Sequence, residues 1–388
     1  MRGRFVQIVL LIFCLVVAVL LTVPRLVDEN LNKVLKKAPY AASERAASLH
    51  QDLTIADLHA DSLLWGRDLL QRSTFGHVDI PRLVVGNVTL QVFSLPTKSP
   101  RGLNIESNED KSDNIYWLAI LGRWPFRTWN SLTERALYQA RRLREMANGS
   151  RGGFVVIESS ADLASYLERR RSNHNLTAGL LSIEGAHALD GKVENLDVLY
   201  RAGYRMMSPS HFFDNDIGGS AAGVHKTGLT EKGREWVRQM ESRHMIVDLA
   251  HASAKTIDDV LAIATRPLVV SHTGVKGTCD NNRNLNDDQI RAIATKGGLI
   301  GIGYWDTANC GTDARAIVKA MRYVSQMVGA EHVALGSDFD GAVTTPFDTT
   351  GLVQITDAML EAGYSEGEIR MIMGENVVRF LTANLPEK

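Results

Sequence analysis

Ile55-Ala56-Asp57-Leu58-His59-Ala60-Asp61 is the stretch on which the reading of the fold turns. A short apolar run ending in His-x-Asp reads as a buried strand that delivers two metal-ligand side chains at its carboxyl end, because residues i and i+2 of a strand share a face. By itself the triplet is weak, since His-x-Asp is more often a surface or capping pair. Its meaning depends on what the later strands bring.

Outward from this stretch, short β-type runs alternate with longer amphipathic ones. The pattern predicts strands over 55–58, 88–93, 177–183, 204–208, 245–249, 268–271, 299–302 and 333–336. Helices are expected over 161–171, 193–202, 231–243, 254–264, 287–296, 314–328 and 356–362. Eight strands alternating with helices imply an α/β chain with a parallel sheet closed into a (β/α)8 TIM-type barrel. The segment 98–143, polar and Trp-containing, reads as an insertion after the second strand that decorates the barrel rim or forms a lid or partner surface.

A barrel of this kind carries its chemistry where strands end. Just past the candidate strands stand His59 and Asp61, then Glu184, His211, His251, His272 and Asp338. Each alone has a bland explanation, such as a core histidine, a helix cap or a turn aspartate. Their recurrence is the argument, because barrel strand ends are otherwise mostly apolar. Imidazoles and carboxylates together suit one or two borderline divalent ions, and zinc prefers this donor set. Two ions need a shared carboxylate, and Glu184 is the expected bridge, with His59 and Asp61 completing one ion and His251 and His272 the other. Such a pair lowers the pKa of a bridging water enough to supply hydroxide near neutral pH.

The 388 residues carry 43 Lys plus Arg against 44 Asp plus Glu, a net charge of -1 that gives no basic field for nucleic acid. A small substrate is the better expectation. The amino terminus differs in kind: after Arg2 and Arg4 comes an apolar run from Phe5 to Val23, which as a helix nearly spans a ~30 Å hydrocarbon core. We read residues 1–24 as an N-terminal transmembrane anchor with its amino end cytoplasmic and the catalytic part exported to the periplasmic or extracellular face. A cleaved signal peptide is the rival, but no small-x-small site precedes Pro24. Residues 25–49 read as a stalk or covering helix, and 50–388 as one barrel domain. Cys279 and Cys310 either pair in an oxidising compartment or stay as buried thiols.

At this point the sequence resembles the membrane (renal-type) dipeptidases, binuclear zinc metallopeptidases with an amidohydrolase-like barrel. The resemblance runs from about Ile55 to Leu381 and rests on Asp57-Leu58-His59-Ala60-Asp61, Gly76-His77-Val78-Asp79-Ile80-Pro81-Arg82-Leu83, Ile183-Glu184-Gly185-Ala186-His187, Asp248-Leu249-Ala250-His251-Ala252-Ser253, Val270-Ser271-His272 and Gly336-Ser337-Asp338-Phe339-Asp340-Gly341. It implies two zinc ions held by His59, Asp61, Glu184, His251 and His272, with His211 polarising the scissile carbonyl. Arg283 would hold the substrate carboxylate, and Asp338 would act as the acid and base. It also implies hydrolysis of a small dipeptide, with an L or a D residue at its carboxyl-terminal position, leaves a homodimer open, and favours a Cys279–Cys310 disulfide. His187, Asp340, Tyr304 and Trp305 are expected to support or line the site. The run Pro209 to Ser220 and the 98–143 insertion depart from the animal enzymes, which bears on side-chain preference. Two rivals remain at this level: another amidohydrolase acting on N-acyl amino acids, β-lactams or lactones, and an inactive membrane-tethered binding module.

Overall fold

The computed structural model describes residues 2–388, apart from the side chains of residues 2, 3, 12, 15–18 and 21. Its strands are β1 (Lys33–Val34), β2 (Ile55–Ala60), β3 (Val88–Phe93), β4 (Phe154–Val156), β5 (Thr177–Ile183), β6 (Tyr204–Met207), β7 (Ile246–Val247), β8 (Val269–Thr273), β9 (Leu299–Ile302), β10 (Val333–Leu335) and β11 (Thr344–Thr345). Nine of them form one curled sheet, eight in the order β7-β6-β5-β3-β2-β10-β9-β8 with β4 paired to β5 off that path. Every pairing in that sheet is parallel. The two ends of the path meet at a single parallel bridge between Asp248 and Val269, so the sheet curls as a TIM-type barrel does. The eight expected strands are all present, three with the expected ends, 88–93, 177–183 and 299–302, and the others with ends shifted by one or two residues.

Small apolar side chains from every strand of the path, among them Ala56, Leu90, Leu180, Met206, Ile246, Val269, Leu299 and Ala334, form one buried cluster with Val377, Phe380 and Leu381 of the last helix. A cluster with members on all eight strands is that of a filled barrel interior, closed at one end by that helix. The larger second cluster joins the outer strand faces to the surrounding helices. Those helices start where the sequence offers an oxygen: Ser159, Thr230, Ser253, Asn286 and Asp313 each accept a bond from the backbone N–H three residues on.

Three features differ from expectation. β4 lies on the edge of β5 that β6 occupies further along, pairing Phe154 with Thr177 and Val156 with Gly179. Its three residues are too few to show a period. The 98–143 segment is ordered, with helices Asn114–Leu121 and Leu132–Gly149 locked together by the buried Arg135, which pairs with Asp113 at 2.6 Å and donates to Thr97 O and Thr128 O. Finally, one helix runs from Arg2 to Leu31 straight through Pro24, across the boundary expected there. Residues 32–49 are then the short strand β1, a connecting loop and the start of helix Glu44–Gln51 rather than one covering helix. Among the described residues no helix is long and apolar enough to cross a membrane. The run expected to do so, 5–23, includes residues 12, 15–18 and 21, whose side chains lie outside that description.

The carboxyl end of this first helix is built into the barrel. Asp28 accepts from Arg67 Nε at 2.8 Å, and Arg67 reaches on to Asp340 Oδ2 at 2.7 Å. Asn32 Oδ1 accepts from Ala342 N, and β1 pairs with β11. Asp340 also accepts from Ser62 Oγ, His77 N and Val78 N. Arg67 is thus the buried cation between two buried carboxylates, and its removal leaves both uncompensated. Arg67→Ala is expected to lower unfolding stability by about 3–5 kcal/mol in chemical denaturation; an unchanged midpoint and slope would contradict this role.

Candidate metal centre

The sequence-predicted residues converge at the carboxyl end of the barrel. His59 sits near the end of β2 and His272 inside β8; Glu184 follows β5 directly, and His211, His251 and Asp338 stand three or four residues beyond β6, β7 and β10. His251 and Asp338 reach the site through left-handed backbone, at φ 62 and 60°, a region that non-glycine residues occupy mainly where surrounding contacts hold them. Those contacts are Ala221 N donating to His251 O and Gly341 N donating to Asp338 O. Every one of these side chains is buried.

Glu184 is the centre of the group. Its Oε1 lies 2.8 Å from His251 Nε2, 3.2 Å from His272 Nε2 and 3.8 Å from His59 Nε2, while its Oε2 lies 3.2 Å from His211 Nε2. His59 Nε2 is also 3.5 Å from Asp61 Oδ1 and 3.8 Å from Asp338 Oδ1. Three overlapping sets are close enough to ligate an ion: His59, Asp61 and Asp338; His59, Glu184 and His272; Glu184, His211 and His251. Two of the three sets share the expected bridge, Glu184, and the third joins them through His59; together they add Asp338 and His211 to the residues expected as ligands.

This donor set fits a cation. His59 Nε2, Asp61 Oδ1 and Glu184 Oε1 are buried without a hydrogen-bond partner among the described residues, which is costly for polar atoms unless positive charge joins them. His251 Nε2 and His272 Nε2 face each other at 2.9 Å, both aimed at the same carboxylate oxygen.

Sequence reasoning missed the residue that orients two of the rings. Ser271 Oγ lies 3.3 Å from His59 Nδ1 and 2.9 Å from His272 Nδ1. In the tautomer with both Nδ1–H groups donating to this hydroxyl, both Nε2 lone pairs would face Glu184, the outer support that metal-bound histidines use. Asp248 in turn accepts from Ser271 N at 2.8 Å and Asp57 from Ser337 N, fixing the two strand ends. A signal existed, since Ser271 directly precedes His272, but a serine in a strand has too many ordinary uses to stand out.

Arg283 is buried beside the group, donating from Nη2 to His272 O at 2.9 Å and lying 5.8 Å from the Trp305 ring. Its loop is held by the Cys279–Cys310 disulfide, and Asn284 Nδ2 donates to Cys279 O and Ala308 O. His187 is buried with neither ring nitrogen paired among the described residues, and burial pushes it down to about 3. It packs against Phe213 and so close to Gly185 (φ 94°) that a Cβ there would collide with the ring. Asp340 supports the loop of Asp338 from behind, as described above, and Trp305 lines the site against His272. Tyr304 packs away from the ligands, against Phe339 and Phe347.

Burial dominates the electrostatics. It pushes Glu184 well above the usual carboxylate range, with Asp61 adding to the effect, and lifts Asp338 to about 8 against the pull of His59. It holds His211, His251 and His272 well below the usual imidazole range. For His59 burial also acts downward, but Asp61, Glu184 and Asp338 together outweigh it and raise the ring to about 10.

Residues 43–385 match the model of the membrane dipeptidase family, peptidase family M19. The chain belongs to that family. It is therefore a hydrolase of the metallo-dipeptidase class. It is similar to the dipeptidase tcpJ of Claviceps purpurea, 30% identical over 317 residues that span 79% of this chain and 69% of the relative. Among solved structures, a dipeptidase AC described as a metallo peptidase of family M19 superposes with TM-score 0.73 at 24% identity, covering 87% of this chain and 99% of its own. A metallo peptidase from Rhodobacter sphaeroides, liganded with a phosphinate mimic of the dipeptide L-Ala-D-Ala, superposes with TM-score 0.71 at 24% identity, covering 86% and 99%. At that identity the likeness shows the fold of this dipeptidase to be theirs.

Two outcomes follow for metal binding to this dipeptidase. Ser271→Ala is expected to weaken metal affinity about 10–100-fold in a competitive chelator titration, and wild-type affinity would contradict the orienting role. His59 is raised to about 10, so its ring holds both protons at neutral pH and must release one to ligate, and the raised Glu184 must likewise be ionised to ligate. Metal uptake should then release protons, with affinity rising as pH increases toward about 10. Calorimetry in buffers of different ionisation enthalpy measures this, and uptake without proton release would refute it.

Proposed function

We propose that this chain is a two-zinc dipeptidase that cleaves the amide of small dipeptides, including those with a D residue at the carboxyl-terminal position, and releases two amino acids. The observation that carries the reading is the placement of a buried guanidinium, Arg283, on the backbone carbonyl of a candidate ligand, His272. Among the described residues that is its one side-chain hydrogen bond, so the rest of its planar fork is available to a substrate carboxylate. The dipeptide mimic bound by the Rhodobacter sphaeroides relative supports the same substrate class and the D residue.

In this reading His59 and Asp61 hold one ion and His251 and His272 the other, with Glu184 shared. When bound, the ions would supply Lewis acidity and would lower the pKa of water at the site. Arg283 anchors the terminal carboxylate and so fixes the scissile carbonyl over the site. His211 is assigned to the carbonyl oxygen, where its ring N–H meets the charge that develops as water adds. It takes this role rather than that of a ligand because His251 and His272 already meet at Glu184 Oε1. Asp338 accepts the proton of the attacking water and passes it to the leaving nitrogen as the C–N bond breaks.

The apolar run of the first helix supports an anchored protein with its catalytic part exported. The helix is continuous over Arg2–Leu31, and Phe5, Leu11 and Phe13 stand 69, 72 and 64% exposed on it with nothing of the barrel over them. From Phe5 to Val23 such a helix is close to the thickness of a bilayer core.

Arg283→Ala is expected to lower kcat/KM for a dipeptide by about 10²-fold or more, and to leave the corresponding dipeptide amide, which lacks the carboxylate, far less affected. Equal turnover of the dipeptide by variant and wild type would overturn the dipeptide reading in favour of another amidohydrolase substrate. His211→Ala should lower kcat by about 10²–10³ with a smaller change in KM; a change confined to KM would remove it from the carbonyl.

A further inference from the structure

A cavity lies away from the metal centre, between the first helix and the barrel. It measures about 360 Å³ and is walled by Leu20, Pro24 and Arg25 on one side and by the 66–75 loop and residues 121–123 on the other. That volume is in the range of small-ligand sites.

Four arginines line it: Arg25, Arg67, Arg72 and Arg123. Arg67 is committed to Asp28 and Asp340, as described above. Arg25, Arg72 and Arg123 are exposed and make no ion pair among the described residues, although Arg25 is steadied over the Phe75 ring at 5.2 Å. The wall also carries two carboxylates, Asp28, which is paired with Arg67, and Asp68, so its four arginines leave the cavity net positive. Gln71 and Ser73 add polar groups, and Leu20, Phe75 and Leu121 supply an apolar part of the wall.

The position of the cavity selects its occupant. Leu20 and Pro24 are at the end of the apolar run, where the helix would leave a bilayer. Helix Asn114–Leu121 packs beside it, and its Trp117 shares a face with Leu121 at i, i+4 spacing and is 50% exposed. An exposed tryptophan beside unpaired arginines at this depth is the composition of a membrane–water interface. A soluble phosphate could meet the same arginines, but it would gain nothing from Leu20, Leu121 and Trp117.

We propose that this cavity binds the phosphate headgroup of an anionic phospholipid, with the acyl chains lying along the first helix, so that the barrel is held against the membrane by a lipid as well as by its anchor. The proposal rests on the anchored reading given above. Basic side chains near an anionic surface each contribute about five-fold in affinity. The test uses the full chain in a non-ionic detergent, titrated with phosphatidylglycerol, phosphatidylcholine or glycerol phosphate and followed by native mass spectrometry. Phosphatidylglycerol should bind, phosphatidylcholine and glycerol phosphate should not at matching concentrations, and Arg25→Ala/Arg72→Ala/Arg123→Ala should bind phosphatidylglycerol about two orders of magnitude more weakly while keeping its melting temperature. Equal binding of both lipids, binding of glycerol phosphate as tight as that of the lipid, or wild-type affinity in the triple variant would each overturn the headgroup site. If the triple variant unfolds, Arg123→Ala alone should still show the five-fold loss, and wild-type affinity there would overturn the site. Alkaline carbonate extraction reports on the anchor separately: release of the wild-type chain overturns the anchored reading, whereas a retained chain with no lipid preference overturns only the headgroup site.

Discussion

One carboxylate governs this molecule. Glu184 is buried at the carboxyl end of the barrel with the ring nitrogens of four histidines within 3.8 Å of its oxygens. Burying that many polar atoms is unfavourable unless they share a cation, and backbone strain at His251 and Asp338 adds to the cost. The surrounding structure offsets it with fixed supports: Ser271 between two rings, Asp248 and Asp57 on the strand ends, and the Asp340 network beneath Asp338. The site is arranged before any substrate arrives, which is what electrostatic catalysis in a dry pocket requires.

The same loop ties the catalytic end to the amino-terminal helix. Asp338 and Asp340 are two residues apart; one faces the ligands and the other holds Arg67, which holds Asp28. The helix that would enter the membrane is therefore continuous with the packing behind the site rather than joined to it by a flexible tether. The stretch between Asp28 and Leu35 behaves as part of the barrel.

Much of this was legible in the sequence because strands buried on both faces read as short apolar runs, and polar residues at their ends stand out against them. Thr177 to Ile183 and Leu299 to Ile302 were placed to the residue for that reason. What the sequence hid has physical causes. β4 is too short to have a period. Pro24 normally stops a helix, yet here the chain carries through it, so the expected break and separate stalk are not formed. The insertion is polar at its surface, and its order comes from one buried arginine, Arg135, whose partners are mostly backbone carbonyls with no sequence signature. Ligand types were readable from residue identity, but their grouping was not: Asp338 and His211 stand as close to the ligand sets as the residues assigned to them, which only three-dimensional placement reveals.

The central claim is that two ions share Glu184. Anomalous scattering from crystals of the zinc-loaded chain, recorded on both sides of the zinc absorption edge, tests it directly. The account predicts two peaks, each within bonding distance of a Glu184 oxygen, one beside His59 and Asp61 and the other beside His251 and His272. A single peak, or two peaks of which one is not bonded to Glu184, would contradict it.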